Sequence, residues 1–198
     1  MELPEETPFR VTFAVFWLVH LIVRTYFQMK ARGSERAYAR NEQQSALGFR
    51  LLAIVYLILI VYSVSPWFDF AHVNLAPWVR WVAGLGLLAF YLVFFSWTHI
   101  ALGKHWSRLV EIHRDHALIM TGPYRFIRHP MYSAFFLSAF GMYFLTANWL
   151  IFGIYFIAVA FMYFTRVRSE EEMMIEQFGD TYKNYMNRTG RLLPRIGG

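Results

Sequence analysis

Three long stretches of the 198-residue chain carry no charged residue. They run over 51–68, between Arg50 and Asp69, over 81–103, between Arg80 and Lys104, and over 129–165, between Arg128 and Arg166. A bilayer core of about 30 Å takes roughly 20 helical residues to cross, so the first two read as one crossing each. The third has 37 residues and room for two crossings, with Thr146-Ala147-Asn148-Trp149 near its middle as a polar, aromatic turn. Residues 9–28 form a further span with dense apolar faces, interrupted by His20 and by Arg24, which lies close enough to one end to snorkel. The pattern predicts an all-α integral membrane protein with about five transmembrane helices. Glu2, Glu5 and Glu6 precede the first span with the wrong sign for a secretory leader, and no small-residue cleavage site follows. That span is expected to stay in the mature protein.

Beyond Arg166 the pattern turns amphipathic. Ser169 and Glu172 have the spacing of a capping box, and Glu170-Glu171-Glu172 suits the positive end of a helix dipole, so a helix start is expected there. Met174, Phe178, Tyr182 and Tyr185 form a stripe spaced by 4, 4 and 3, the face that would pack on the bundle or the bilayer surface. Gly179-Asp180 marks a stop and a fresh start.

Composition sharpens the class. Only 16% of residues are charged and 57% are hydrophobic, against about a quarter charged in soluble domains. A disordered chain is excluded and an ordinary soluble domain disfavoured. With no cysteine, disulfides, thiolate metal sites and a cysteine nucleophile drop out. The net charge of +6 sits between apolar runs, which points to anionic lipid rather than nucleic acid. Residues 24–50 carry six Lys and Arg against two acids, and residues 104–128 carry five against two. The 66–80 loop has only Arg80. The positive-inside rule therefore places the N-terminus outside, and both basic loops and the tail in the cytoplasm.

The same topology brings chemistry-bearing residues to one end. Arg128-His129 opens the fourth span, and Arg166 with Glu170 and Glu171 follows the fifth, so a tight hairpin makes them meet at the cytoplasmic face. Ionisable residues at the edge of a membrane domain are functional candidates. No Walker A motif, His-Glu-x-x-His or Gly-x-Ser-x-Gly elbow occurs. Gly84-Leu85-Gly86 lies inside a span, where small residues pack helices. His99, His105, His113 and His116 have no familiar metal spacing, and no metal site is expected.

Residues 116–132 read His-Ala-Leu-Ile-Met-Thr-Gly-Pro-Tyr-Arg-Phe-Ile-Arg-His-Pro-Met-Tyr, and residues 166–182 read Arg-Val-Arg-Ser-Glu-Glu-Glu-Met-Met-Ile-Glu-Gln-Phe-Gly-Asp-Thr-Tyr. This pair of motifs resembles the isoprenylcysteine carboxyl methyltransferase family, in particular its short prokaryotic members, over roughly residues 97–195. The resemblance implies a single membrane domain over 1–198, with transmembrane helices in 1–96 and a cofactor-binding, catalytic half in 97–198. It implies an S-adenosylmethionine pocket completed by a cytoplasmic C-terminal helix, and a lipophilic substrate entering from the bilayer. Carried over by position, Glu111, His116, Leu118, Gly122, Tyr124, His129, Pro130, Tyr132 and Glu170 look like cofactor-contacting residues. Arg166 looks like the residue that meets a substrate carboxylate, with Arg128 and Glu171 as supports.

The physics of that reading is simple. A C-terminal carboxylate with a pKa near 3.5 is ionised at neutral pH and needs no general base for methylation. It needs a cation to hold it in a dry site, and the planar fork of Arg does so bidentately. Glu170 suits the cofactor ammonium, His129 or Tyr132 its carboxylate, and Tyr124 with Leu118 the adenine. Three alternatives stay open: a phospholipid amine methyltransferase using His129 or Glu171 as base, an NADPH-dependent sterol-type reductase, and a non-catalytic scaffold.

Overall fold

The computed structural model describes residues 6–30, 36–40, 42–103, 110–113 and 118–195. Five long helices form where the uncharged stretches predict them: α1 (Thr7–Lys30), α2 (Glu42–Val64), α3 (Pro77–Leu102), α4 (Pro130–Thr146) and α5 (Trp149–Phe178). Among the described residues α1, α3 and α5 are each long and apolar enough to cross a membrane, while the apolar part of α2 (Arg50–Val64) and the 17-residue α4 are shorter. Val15, Leu18, Ile22, Leu57, Phe90, Val93, Ile157 and Phe164 point outward and are exposed, as a lipid-facing belt requires. Inside, Phe13, Leu59, Leu88, Tyr91, Phe95, Met142, Leu145 and Ile151 pack into one core with almost no exposed surface.

Among the described residues the one departure from all-α architecture is a two-stranded ribbon. β1 (Arg36–Arg40) and β2 (Val110–His113) pair antiparallel, with Ala39 opposite Glu111 and Arg36 opposite His113. At five and four residues, these strands are too short to leave a hydrophobic period in the sequence. The pairing ties the two basic loops together.

Glycines set the helix spacing. A Cβ on Gly84 would lie 2.5 Å from the Leu145 backbone nitrogen, and one on Gly141 would lie 2.8 Å from the Leu88 side chain. Backbone contact between α3 and α4 is thus possible only with glycine at these points. The first turns of α3, Arg80–Leu85, are wound as π-helix beside that contact. The α4–α5 turn follows the predicted Thr146–Trp149 stretch. Ala147 takes a left-handed conformation (φ 48°), and the Asn148 side chain accepts from the Leu150 and Ile151 amides at 3.1 and 3.0 Å.

At the end of the bundle that holds this turn, a clasp of ion pairs closes the structure. Arg80 grips Glu6 with two hydrogen bonds of 2.6 and 2.7 Å and donates through Nε to the Leu145 carbonyl at 3.1 Å. Its guanidinium also lies 3.5 Å from the centre of the Phe9 ring. Arg10 pairs with Asp69 and donates to the Ser65 carbonyl. Within the bundle His20 is fully buried, with Nδ1 2.8 Å from the Tyr91 hydroxyl and Nε2 3.2 Å from that of Tyr56. Arg24 turns inward to donate to Tyr56 at 3.3 Å instead of snorkelling outward, because a buried acceptor is within reach.

Candidate active site

The opposite end of the bundle is built by three segments. Arg128 and His129 sit just before α4, whose first residue, Pro130, has no N–H to leave unpaired. The Arg128 and His129 amides donate to the Gly190 and Arg191 carbonyls at 2.8 and 3.0 Å, so the tail beyond α6 (Asp180–Arg188) is laid against them. A Cβ at Gly190 would collide with the Leu193 carbonyl, which fixes glycine at that crossing. The third segment is the end of α5. Its apolar part stops at Thr165, and the helix continues without a break through Ser169 to Phe178. The capping-box reading of Ser169 and Glu172 is therefore wrong. Ser169 is buried mid-helix, and Glu170 and Glu171 face the cluster instead of capping a new helix. The stop at Gly179 (φ 54°) falls where expected.

Two adjacent carboxylates sit in different situations. Glu171 is almost fully buried and takes contacts from two arginines and a histidine: Arg128 Nε at 3.0 Å, Arg191 Nη2 at 2.7 Å and His129 Nε2 at 3.3 Å. Burial works against its charge, but the hydrogen bonds from His129, Arg191 and Arg128 outweigh it and pull its carboxyl down to about 2. Glu170 keeps 24% of its side chain exposed and is held by longer contacts. Tyr132 donates to it at 3.1 Å, Arg166 Nε lies at 3.3 Å and His129 Nδ1 at 3.5 Å. Burial again opposes ionisation, and His129 and Arg166 reverse it, leaving the carboxyl below the usual range. Each ring nitrogen of His129 thus faces a carboxylate. Burial would lower its pKa, but the hydrogen bonds to Glu170 and Glu171 raise it overall.

The structure gathers Arg128, His129, Tyr132, Arg166, Glu170 and Glu171 into this one cluster, with Pro130 buried behind His129. Tyr124 is buried beside it, and its carbonyl accepts from the Tyr185 hydroxyl at 2.6 Å. Gly122 (φ 59°) lies over the end of α3, where a Cβ would come 3.1 Å from that of Ala101 and 3.3 Å from Trp97 Nε1. Leu118 is half-buried. Glu111 contributes its backbone to β2, but its side chain and the whole of His116 lie outside the described residues. Tyr182 and Tyr185, two of the predicted stripe, are buried, whereas Met173 rather than Met174 is the buried methionine. Sequence reading missed Arg191 and Thr189, whose carbonyl accepts from Arg128. Neither belongs to the motifs, and only the docked tail brings them in.

Fold and site together define a multi-pass helical membrane protein with a polar cluster of acids, cations and tyrosines where two spans end. Residues 83–176 match the family model described as the isoprenylcysteine carboxyl methyltransferase (ICMT) family. Over these residues the chain is similar to that family, the likeness that the paired motifs carried. A protein-S-isoprenylcysteine O-methyltransferase of Schizosaccharomyces pombe is 31% identical over 117 residues, 58% of this chain and 49% of that protein. The nickel-cobalt-cadmium resistance protein NccN of Alcaligenes xylosoxydans xylosoxydans is 27% identical over 149 residues, 75% of this chain and 63% of that protein. The solved structure of the eukaryotic intramembrane Ras methyltransferase ICMT superposes with a TM-score of 0.54 at 22% identity. It covers 79% of this chain and 54% of that one, a likeness of fold. The chain spans about half the length of the isoprenylcysteine methyltransferases it matches.

Proposed function

We propose that the protein is an S-adenosylmethionine-dependent methyltransferase that esterifies the carboxylate of a prenyl-cysteine-like lipophilic substrate at the cytoplasmic membrane face. The observation that carries this reading is the contrast between Glu170 and Glu171. Glu171 is locked by two arginines and a histidine and serves as the post that positions Arg128, His129 and Arg191. Glu170 is partly open and loosely held, so it can exchange a contact for the cofactor's ammonium group. The donor set fits the cofactor: an exchangeable carboxylate, the His129 ring and the Tyr132 hydroxyl suit its amino-acid portion. Tyr124 and Leu118, beside the positive-φ turn at Gly122, suit its ring. When bound, S-adenosylmethionine supplies a methyl group on a sulfonium.

The chain's own residues do the rest. As Glu170 takes up a new partner, Arg166 is released to hold the acceptor carboxylate by its planar fork. Methyl transfer is an in-line displacement, so most of the acceleration comes from this positioning and from exclusion of water. No base is required. This favours a carboxyl over an amine acceptor, because Glu171 is occupied by Arg128, Arg191 and His129, and both ring nitrogens of His129 already face carboxylates. A metal-handling role draws no support from the site: among the described residues no group of three His, Cys, Asp or Glu is placed to hold an ion.

Calorimetric titration of the detergent-purified protein tests the cofactor. S-adenosylhomocysteine should bind and NADPH should not; the reverse would favour the reductase, and binding of neither the scaffold. For the acceptor, a farnesyl-cysteine carboxylate should be methylated with no rising limb of activity between about pH 6 and 8. Activity on ethanolamine phospholipids with such a limb would promote the amine reading. The proposed topology puts the N-terminus outside and the tail in the cytoplasm. Tags at the two ends reporting the same side would overturn it.

A further inference from the structure

The segments that frame the cluster also present an outer surface that the site does not use. Ile127 and Gly190 form a parallel bridge, and the Gly190 amide donates to the Phe126 carbonyl at 3.2 Å. Residues 125–128 and 189–191 therefore run side by side. Their outer side mixes cations with apolar groups. Leu193 is 76% exposed and Phe126 49%, and the Arg125 guanidinium lies 5.7 Å from the centre of the Phe126 ring. Arg195 donates to the Asn187 carbonyl, next to the exposed Arg188. The Tyr185 hydroxyl, bonded to the Tyr124 carbonyl, ties this end of α6 to Arg125.

Two features set these three arginines apart. The first is charge. Exposed Arg168 and Lys183 are each neutralised at 2.9 Å, by Glu172 and Asp180. Among the described residues Arg125, Arg188 and Arg195 have no carboxylate partner, and neither 118–129 nor 181–195 contains an acid. The second is depth. The 17 residues of α4 rise about 25 Å, against a hydrocarbon core of about 30 Å. Trp149, half exposed just past the far end of α4, suits the opposite interface. Residues 126–129, which enter α4 directly, then fall where acyl chains meet headgroups.

We infer that this surface is a binding patch for anionic phospholipid. Phe126 and Leu193 enter the acyl region, while Arg125, Arg188 and Arg195 hold negatively charged headgroups. A soluble acidic partner would satisfy the arginines but would leave the apolar side chains at this depth unexplained. Because the paired segments also carry Arg128, His129 and Arg191, a lipid held there fixes the mouth of the cluster at headgroup level. The inference is independent of methyl transfer, and its readout is lipid contact rather than turnover.

A photoreactive benzoylphenylalanine in place of Phe126 identifies the neighbour directly. The full-length protein is reconstituted in vesicles of phosphatidylglycerol and phosphatidylcholine in equal parts. Phosphatidylglycerol adducts should outnumber phosphatidylcholine adducts at least about threefold. In about 1 M salt, where the Debye length falls to about 3 Å, that excess should vanish while lipid adducts remain. Arg125→Gln combined with Arg188→Gln should bring the excess to within about 1.5-fold at an unchanged melting temperature. Arg168→Gln combined with Lys183→Gln removes as much charge from paired positions and should leave the excess intact. The salt comparison needs neither pair of substitutions, so it holds even if one of them fails to fold. Four results would each overturn the proposal: adducts in the bulk lipid ratio, no lipid adduct (an aqueous partner), equal losses in both double variants, or an excess abolished by millimolar glycerol phosphate (a free phosphate in the patch).

Discussion

The two ends of the bundle both collect buried charges, yet they are wired differently. At the α4–α5 turn, Arg80 and Glu6 satisfy each other through two short hydrogen bonds, and the remaining Arg80 donors cap the Leu145 and Thr146 carbonyls. Arg10 does the same with Asp69 and the 62–65 carbonyls. Each cation there has a fixed carboxylate and backbone oxygens, a closed arrangement that staples the chain's beginning to a loop and a helix. At the other end one carboxylate, Glu171, is closed in the same way, but its neighbour Glu170 is shared among a tyrosine, a histidine and an arginine at 3.1–3.5 Å. Closed pairs hold a fold together; a shared, half-open carboxylate can change partners. On the proposed reading, the difference separates structure from function within a single set of residue types.

The sharpest test of this contrast is Arg80→Leu. Removing one partner of a buried ion pair leaves the other uncompensated, and about 3–5 kcal/mol of stability should be lost. Thermal unfolding in detergent should show it, while turnover per folded molecule stays near wild type. A loss of turnover without a loss of stability would mean that the clasp is not merely structural.

Arg166→Lys should do the opposite. The fold and S-adenosylhomocysteine affinity should survive, while turnover on a farnesyl-cysteine carboxylate falls about a hundredfold, roughly 2.7 kcal/mol of barrier. Retained turnover would remove Arg166 from substrate binding.

The adjacent glutamates give a smaller and more discriminating pair. Glu170→Ala should weaken cofactor binding about tenfold, roughly 1.4 kcal/mol, with little change in melting temperature. Glu171→Ala should lower the melting temperature far more than Glu170→Ala does, because it leaves Arg128 and His129 without their shared partner. Equal effects of the two substitutions on both readouts would erase the distinction between a locked and an exchangeable carboxylate.

The smallest effect is on pH dependence. The folded-state pKa of His129 is raised above its ordinary 6.5, so its contribution is fully present below about pH 6.5 and is lost as pH rises through the folded value. Glu171 is lowered from 4.5 to about 2, so its contribution is present above about pH 4.5 and is lost as pH falls towards 2. Stability should therefore be greatest between about pH 4.5 and 6.5. In His129→Asn the decline on the alkaline side should flatten; a wild-type profile still rising through pH 7.5 would contradict the upward shift of His129.

How much of this was legible in the chain follows from the range of each interaction. Five helices, the hairpin turn at Asn148 and the break at Gly179 are local consequences of apolar runs, a capping side chain and a glycine, so they can be read in order along the sequence. The motifs at 116–132 and 166–182 likewise named Arg128, His129, Tyr132, Arg166 and Glu170 before any of them had neighbours. The same local logic failed at Ser169 and Glu172, where a capping signature lies inside a helix. The helix continues because Glu171 meets Arg128 and Glu170 meets Tyr132 and His129 across the bundle, a gain that local sequence cannot register. Arg191, the Glu6–Arg80 pair 74 residues apart and the inward turn of Arg24 were decided only by tertiary contact. The sequence by itself determined which segments form the apolar helices, because burial against lipid depends on composition and length. Which charges close on each other and which stay exchangeable depends on distances of about 3 Å between distant segments, and only the packed bundle sets those.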